Sequence, residues 1–124
     1  MNSVAWVVPA GVNMKIEFTS RQVEKLLNNE KELRKTHRNE ADAIKQRLAQ
    51  LAALECLDDI RHLPEAISVH CHQLTGKGAG HFAVNVSARK RLIFVPCFDE
   101  YAGNLADWKT IVHIIITGVH NYHD

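Results

Sequence analysis

The sequence predicts an α+β domain, with an N-terminal strand and an α-helical hairpin packed on a small, mainly antiparallel sheet. Two observations predict it. Apolar residues recur at helical spacing between Val23 and Leu51, and after Pro64 that period gives way to short β-branched and alternating runs. At 124 residues the chain can bury one core and is too short for two ordinary domains. With 46% hydrophobic and 23% charged residues and no compositional bias, it reads as globular rather than disordered or fibrous.

Residues 1–13 are read as an N-terminal extension ahead of Met14, with Met14 as an alternative start, and residues 14–124 as the single domain. The run Val4, Ala5, Trp6, Val7, Val8 is apolar but lacks the basic flank of a secretory signal, and no 18-residue apolar run occurs. Lys15 to Phe18 alternates as a first strand. Thr19-Ser20-Arg21-Gln22 has capping-box spacing, with Thr19 as the expected N-cap of a helix. Val23, Leu26, Leu27 and Leu33 give that helix one apolar stripe, which Asn28-Asn29 is placed to interrupt.

Asn39 is the expected cap of a second helix, in which Ala41, Ile44, Leu48, Leu51 and Glu55 step at three and four residues and Ala52 widens the seam. Arg38, Lys45 and Arg47 alternate with Glu40 and Asp42, as on a solvated outer face. The expected strands are then Ser68 to Leu74, His81 to Val86, Arg91 to Pro96 and Ile111 to Val119. A glycine-rich turn spans Thr75 to Gly80, a tight turn lies near Ala88, and Cys97 to Lys109 reads as an exposed connection.

Three widely spaced cysteines, Cys56, Cys71 and Cys97, do not make a disulfide framework, so a reducing cytoplasm is the expected setting. A net charge of +1 excludes nucleic-acid binding driven by bulk charge, so any RNA contact has to be local. From Leu63 onward five basic residues balance five acidic ones, and that half instead holds six of the eight histidines: His70, His72, His81, His113, His120 and His123. Imidazole is the side chain best suited to proton transfer near neutral pH.

Four segments of that half follow one known order. His72-Gln73-Leu74-Thr75-Gly76 resembles a His-x-Leu-basic-Gly segment, His81-Phe82-Ala83-Val84-Asn85-Val86 follows at the usual interval, Arg91-Leu92-Ile93-Phe94 resembles an Arg-Leu-x-Phe strand, and Asn121-Tyr122-His123 is similar to a closing Asp-Tyr-His. Together they resemble the HigB-like plasmid killer proteins of the RelE and ParE toxin superfamily, over nearly the whole chain after Met14. Two departures stand out: Thr75 where a basic residue is common, with Lys77 nearby, and Asn121 where aspartate is usual.

The resemblance implies a RelE-like fold and a toxin that cuts messenger RNA on the ribosome, held in check by a helix-turn-helix antitoxin, with no membrane, metal or other cofactor involved. It makes His72, Arg91, Tyr122 and His123 the expected catalytic residues, and Lys77, Arg89, Lys90 and Asn121 the expected RNA and phosphate contacts. Cutting RNA without metal needs a base for the ribose 2′-hydroxyl, a cation for the phosphorane and a proton donor for the leaving 5′-oxygen. By the family's pattern His72 and His123 would move protons, Arg91 or Lys77 would hold the phosphate, and Tyr122 would stack on a base or orient the hydroxyl.

Three rivals use the same residues. His70, His72, His120 and His123, with Cys71 or Cys97, would be the ligands of a metal-dependent hydrolase. Cys71 would be a thiol nucleophile, although alternation sets it opposite His70 and His72. The two departures would suit a binding protein of the same fold without catalysis. Of the remaining histidines, His37 and His62 are placed at helix ends, where an imidazolium favours the last carbonyls, and His113 beside the core.

Overall fold

The computed structural model describes residues 13–98 and 105–121. The first strand, β1 (Lys15–Phe18), leads into α1 (Arg21–Asn28) and α2 (Glu30–His37), a 3-10 turn at Arg38–Glu40, and α3 (Ala41–Ala53). A 3-10 helix at Leu57–His62 and the short α4 (Ala66–Val69) follow. The strands β2 (His72–Gln73), β3 (Phe82–Asn85), β4 (Lys90–Pro96) and β5 (His113–Asn121) complete the domain, with 3-10 turns at Gly76–Gly78 and Trp108–Thr110. This is the expected α+β arrangement.

The sheet order is β1-β5-β4-β3-β2. Only the β1–β5 pair is parallel, with Lys15 opposite His113 and Phe18 opposite Ile116; the other three pairs are antiparallel. The helices cover one sheet face. Leu27, Leu33, Ile44, Leu48 and Leu51 from the helical layer meet Ile16, Phe82, Val84, Leu92, Phe94, Ile114 and Ile116 from the strands. Phe82 stacks on Phe94 at 5.7 Å between ring centroids and meets the edge of Trp108 at 5.4 Å. Such aromatic pairs add about 0.5–1.5 kcal/mol each beyond area burial.

Several local expectations are corrected. The N-cap of α1 is Ser20 rather than Thr19: its side chain accepts from the Val23 amide, three residues on, which is the reach a capping hydroxyl has. Asn29 does interrupt the first helical stretch, and does so by capping α2 through the Glu32 amide. Asn39 caps nothing, because Arg38–Glu40 forms a 3-10 turn and α3 starts at Ala41; Glu55 lies beyond its end.

Arg47 is not on a solvated face. It is half-buried, donates from Nε to the Asn85 carbonyl at 2.7 Å and also bonds Gln50, so it covers the β3 edge beyond the short β2.

The expected strand from Ser68 to Leu74 is mostly not one. Ala66–Val69 is helical, His70 takes a left-handed conformation (φ 47°), and only His72–Gln73 pairs. The β-branched Val69 and the loss of helical period after Pro64 suggested a strand, and the turn of helix at Ala66–Val69 overrode that propensity. The connection after Cys97 is also not simply exposed. Residues 99–104 lie outside the described residues, but Trp108 is buried in the core and Arg61 stacks over its ring at 3.7 Å.

Candidate functional site

Register decides which side chains share the face left open by the helices. In an antiparallel pair directly opposed residues point the same way, so His72, Ala83, Ile93 and Gly118 form one row across β2, β3, β4 and β5. Two residues further along, Asn85, Arg91 and His120 form the next row on that same face. Phe82, Val84, Leu92 and Phe94 occupy the alternate positions and face the helices.

The structure thus brings His72 and Arg91 to one face, with the buried Ala83 and Ile93 between them. Two strand spacings and two residues separate them, about 12 Å between Cα positions.

His72 is held in a defined state. Its Nδ1 lies 3.0 Å from the His70 carbonyl oxygen, which can only accept, so Nδ1 carries the proton and Nε2 presents its lone pair in the neutral ring. The His70 ring packs against it, with centroids 4.4 Å apart. The left-handed turn at His70 therefore fixes His72 twice, through its carbonyl and through its ring. A cavity of about 360 Å³ opens beside this pair, lined by Ile60, Arg61, Ala66, Ile67, His70 and Cys71.

The other expected contacts scatter. Lys77 is exposed at the tip of the β2–β3 turn, whose shape depends on glycine: Gly76 has φ 62°, and a Cβ on Gly78 would stand 2.9 Å from the Leu74 Cβ. Arg89 is exposed in the β3–β4 turn, where the Ser87 hydroxyl accepts from the Arg89 and Lys90 amides, at the opposite end of β3 from Lys77. Lys90 alternates with Arg91 and so faces the helical layer, with Nζ 3.6 Å from Glu40 and 3.2 Å from His37 Nδ1. Asn121 ends β5 opposite Lys90. Tyr122 and His123 lie outside the described residues.

Sequence reasoning weighed His120 only as a metal ligand and not as a neighbour of Arg91. Strict alternation from Ile114 and Ile116 would have turned it toward the helices. A register shift reverses this: Ile93 pairs with Gly118 while Phe94 pairs with Ile116, leaving Thr117 as an extra residue. Gly118, alone in a run of β-branched residues, was the available signal.

The rival chemistries fare differently. Two strands separate β2 from β5, so His70 and His72 do not converge with His120 on one ion, and among the described residues no group of three His, Cys, Asp or Glu side chains is placed to hold a metal. Burial pushes the Cys71 thiol up to about 12, with Arg61 opposing only weakly, so it stays protonated and is a poor nucleophile. His37 does end α2, as expected, but not as an imidazolium. It is buried, and burial first and Lys90 second lower its pKa, with Glu40 pulling the other way. His113 bonds Glu17 at 2.7 Å across the β5–β1 pair, and His62 lies 3.4 Å from Asp58.

Helices packed on one face of a five-stranded, mostly antiparallel sheet match the RelE-like toxin fold. Among solved structures, a mutant of YafQ from E. coli is similar over 90% of this chain and 96% of its own, with a TM-score of 0.52 at 15% identity. A YoeB/ParE toxin from Agrobacterium tumefaciens gives a TM-score of 0.47 at 12% identity, over 88% of this chain and 99% of its own. No family model and no curated protein matches the chain by sequence. No helix among the described residues is long and apolar enough to cross a membrane.

Proposed function

We propose that this chain is the toxin of a toxin–antitoxin pair, a HigB-like endoribonuclease that cuts messenger RNA on the ribosome and so stops translation. The observation that carries the proposal is that His72 and Arg91 share the sheet face away from the helices. The fold agrees, and the four ordered sequence segments choose RNA rather than another target of the same architecture.

In the proposed reaction the backbone of the message lies across β3 and β4. His72 Nε2, its lone pair exposed by the Nδ1–carbonyl bond, removes the 2′-hydroxyl proton. The freed oxygen attacks the adjacent phosphorus in line, and the Arg91 guanidinium neutralises the charge that builds on the phosphorane. His123, two residues beyond the end of β5, returns a proton to the leaving 5′-oxygen, and Tyr122 stacks on a neighbouring base. The products are a 2′,3′-cyclic phosphate and a free 5′-hydroxyl, so atoms and protons balance with no further reagent.

Lys77 and Arg89 would hold the backbone on either side, while Asn121, paired with Lys90, is on the helical face and would not reach it. Lys90 acts in this scheme by tying β4 to the helices. The partner would be a small helix-turn-helix protein, and the working compartment the cytoplasm.

The decisive measurement is cleavage of ribosome-bound message by the purified chain, with and without chelator. Cleavage indifferent to chelator is expected, and Arg91→Ala and His123→Ala should each reduce it by about a hundredfold or more while leaving the circular dichroism melt intact. Wild-type rates in both folded variants would refute the assignment. Binding without any cleavage would make the chain a non-catalytic relative.

A further inference from the structure

The irregularity in β5 serves one side chain. Up to Ile116 the strand alternates with even-numbered residues toward the helices, and Val119 resumes that role opposite Leu92 only because Thr117 is looped out of register. The Thr117 hydroxyl donates to the Ile93 carbonyl at 3.1 Å and so anchors the bulge.

Gly118 follows with φ 153°, a conformation that only glycine takes readily. A Cβ built there would stand 3.3 Å from His120 Nε2, so the imidazole folds back over a space that glycine leaves empty. Bulge and glycine together turn His120 from the helical layer to the open face, directly opposite Arg91. Opposed residues in such a pair hold their Cβ atoms about 4.5–5.5 Å apart. The charged neighbours are sorted by face: Arg91 shares the face of His120, while Lys90 lies on the other with Glu40 and His37.

We propose that His120 is a second ligand of the RNA phosphate, donating a ring N–H to a non-bridging oxygen that Arg91 also holds. A guanidinium and an imidazole set side by side make a two-point anion site. This rests on the open face being the RNA-cutting site, and it adds a phosphate contact distinct from the proton-transfer groups.

The test compares wild type, His120→Leu and Gly118→Ala on ribosome-bound message carrying a phosphorothioate of either configuration at the scissile position. His120→Leu should cut about a hundredfold more slowly and lose part of the preference between the two configurations. Gly118→Ala keeps the imidazole but displaces it, and should slow cleavage in the same direction. His120 is exposed, so His120→Leu should keep the wild-type melt, which ensures an outcome even if Gly118→Ala does not fold.

Wild-type rate in His120→Leu, or a slower rate with the configuration preference intact, would overturn the phosphate contact while leaving the endonuclease standing. If wild type itself fails to cut, the endonuclease proposal falls separately. The contact is then read from affinity for ribosome-bound 2′-deoxy message: weaker binding by His120→Leu supports it, and equal binding overturns it.

Discussion

At the scale of single residues, His37 shows how burial sets a pH limit on the fold. Its ring is 8% exposed, and Lys90 Nζ can donate to Nδ1 only when that nitrogen is unprotonated. Because the folded pKa is lowered, the folded protein binds fewer protons than the unfolded chain between the two values. The stabilisation is therefore complete above the unfolded value of 6.5, starts to fall as pH drops through it, and is lost below the lowered folded value. Urea midpoints from pH 8 to pH 5 should fall for wild type more steeply than for His37→Gln. That variant should itself cost about 1–3 kcal/mol at pH 8 by breaking the buried contact; parallel slopes would show that His37 does not titrate on unfolding.

Cys71 makes the complementary case, with a thiol kept neutral. All three cysteines are partly exposed, so the raised pKa of Cys71 should show in alkylation followed by site-resolved mass spectrometry as labelling at least about tenfold slower than at Cys56 and Cys97. Equal labelling would show that the Cys71 thiol is not held neutral.

At the scale of elements, the parts that sequence made legible are those governed by a period. The α1 and α3 stripes, and the alternation that separates Arg91 from Leu92, needed only the count of residues per turn or per pleat. Where a single backbone conformation decides the outcome, periodicity is silent. Nothing in Ser68 to Leu74 announces the left-handed turn at His70, and nothing in Ile114 to Asn121 except Gly118 announces the bulge that re-aims His120.

Arg38 is another such point. It closes α2 at φ 37° and ψ −103°, a conformation costing a non-glycine residue about 1–3 kcal/mol, while its amide still bonds the Arg34 carbonyl. Arg38→Gly should relieve that strain and lose about 0.5–1 kcal/mol to the freer unfolded chain. A net rise of a few degrees in melting temperature is expected, and a fall would show that the turn is not strained.

At the scale of the whole molecule, the ends of the described chain close the fold on each other. β1 lies at the sheet edge and pairs in parallel with β5, the last strand, so the first and last elements support one another. Sequence suggested Met14 as the first residue that matters, and the contacts give that boundary a physical test. Removing residues 1–13 takes away the bond from Asn13 Nδ2 to the Ala53 carbonyl at 2.9 Å and keeps Met14 N bonded to the Leu54 carbonyl at 2.6 Å.

Starting at Thr19 instead removes Met14 and Ile16, 4% and 3% exposed, together with Phe18. At about 1.5–3 kcal/mol for each buried apolar side chain, that loss approaches the whole stability of a typical domain, about 5–15 kcal/mol. It also bares β5, the strand that carries His120, as an open edge and takes Glu17 from His113. A chain beginning at Met14 should therefore melt within about 5 °C of full length, the shift expected for roughly 1 kcal/mol, and one beginning at Thr19 should show no cooperative transition. Calorimetry on the three lengths decides it: a large loss already at Met14 would make the extension part of the fold, and a cooperative melt at Thr19 would mean that β1 is dispensable.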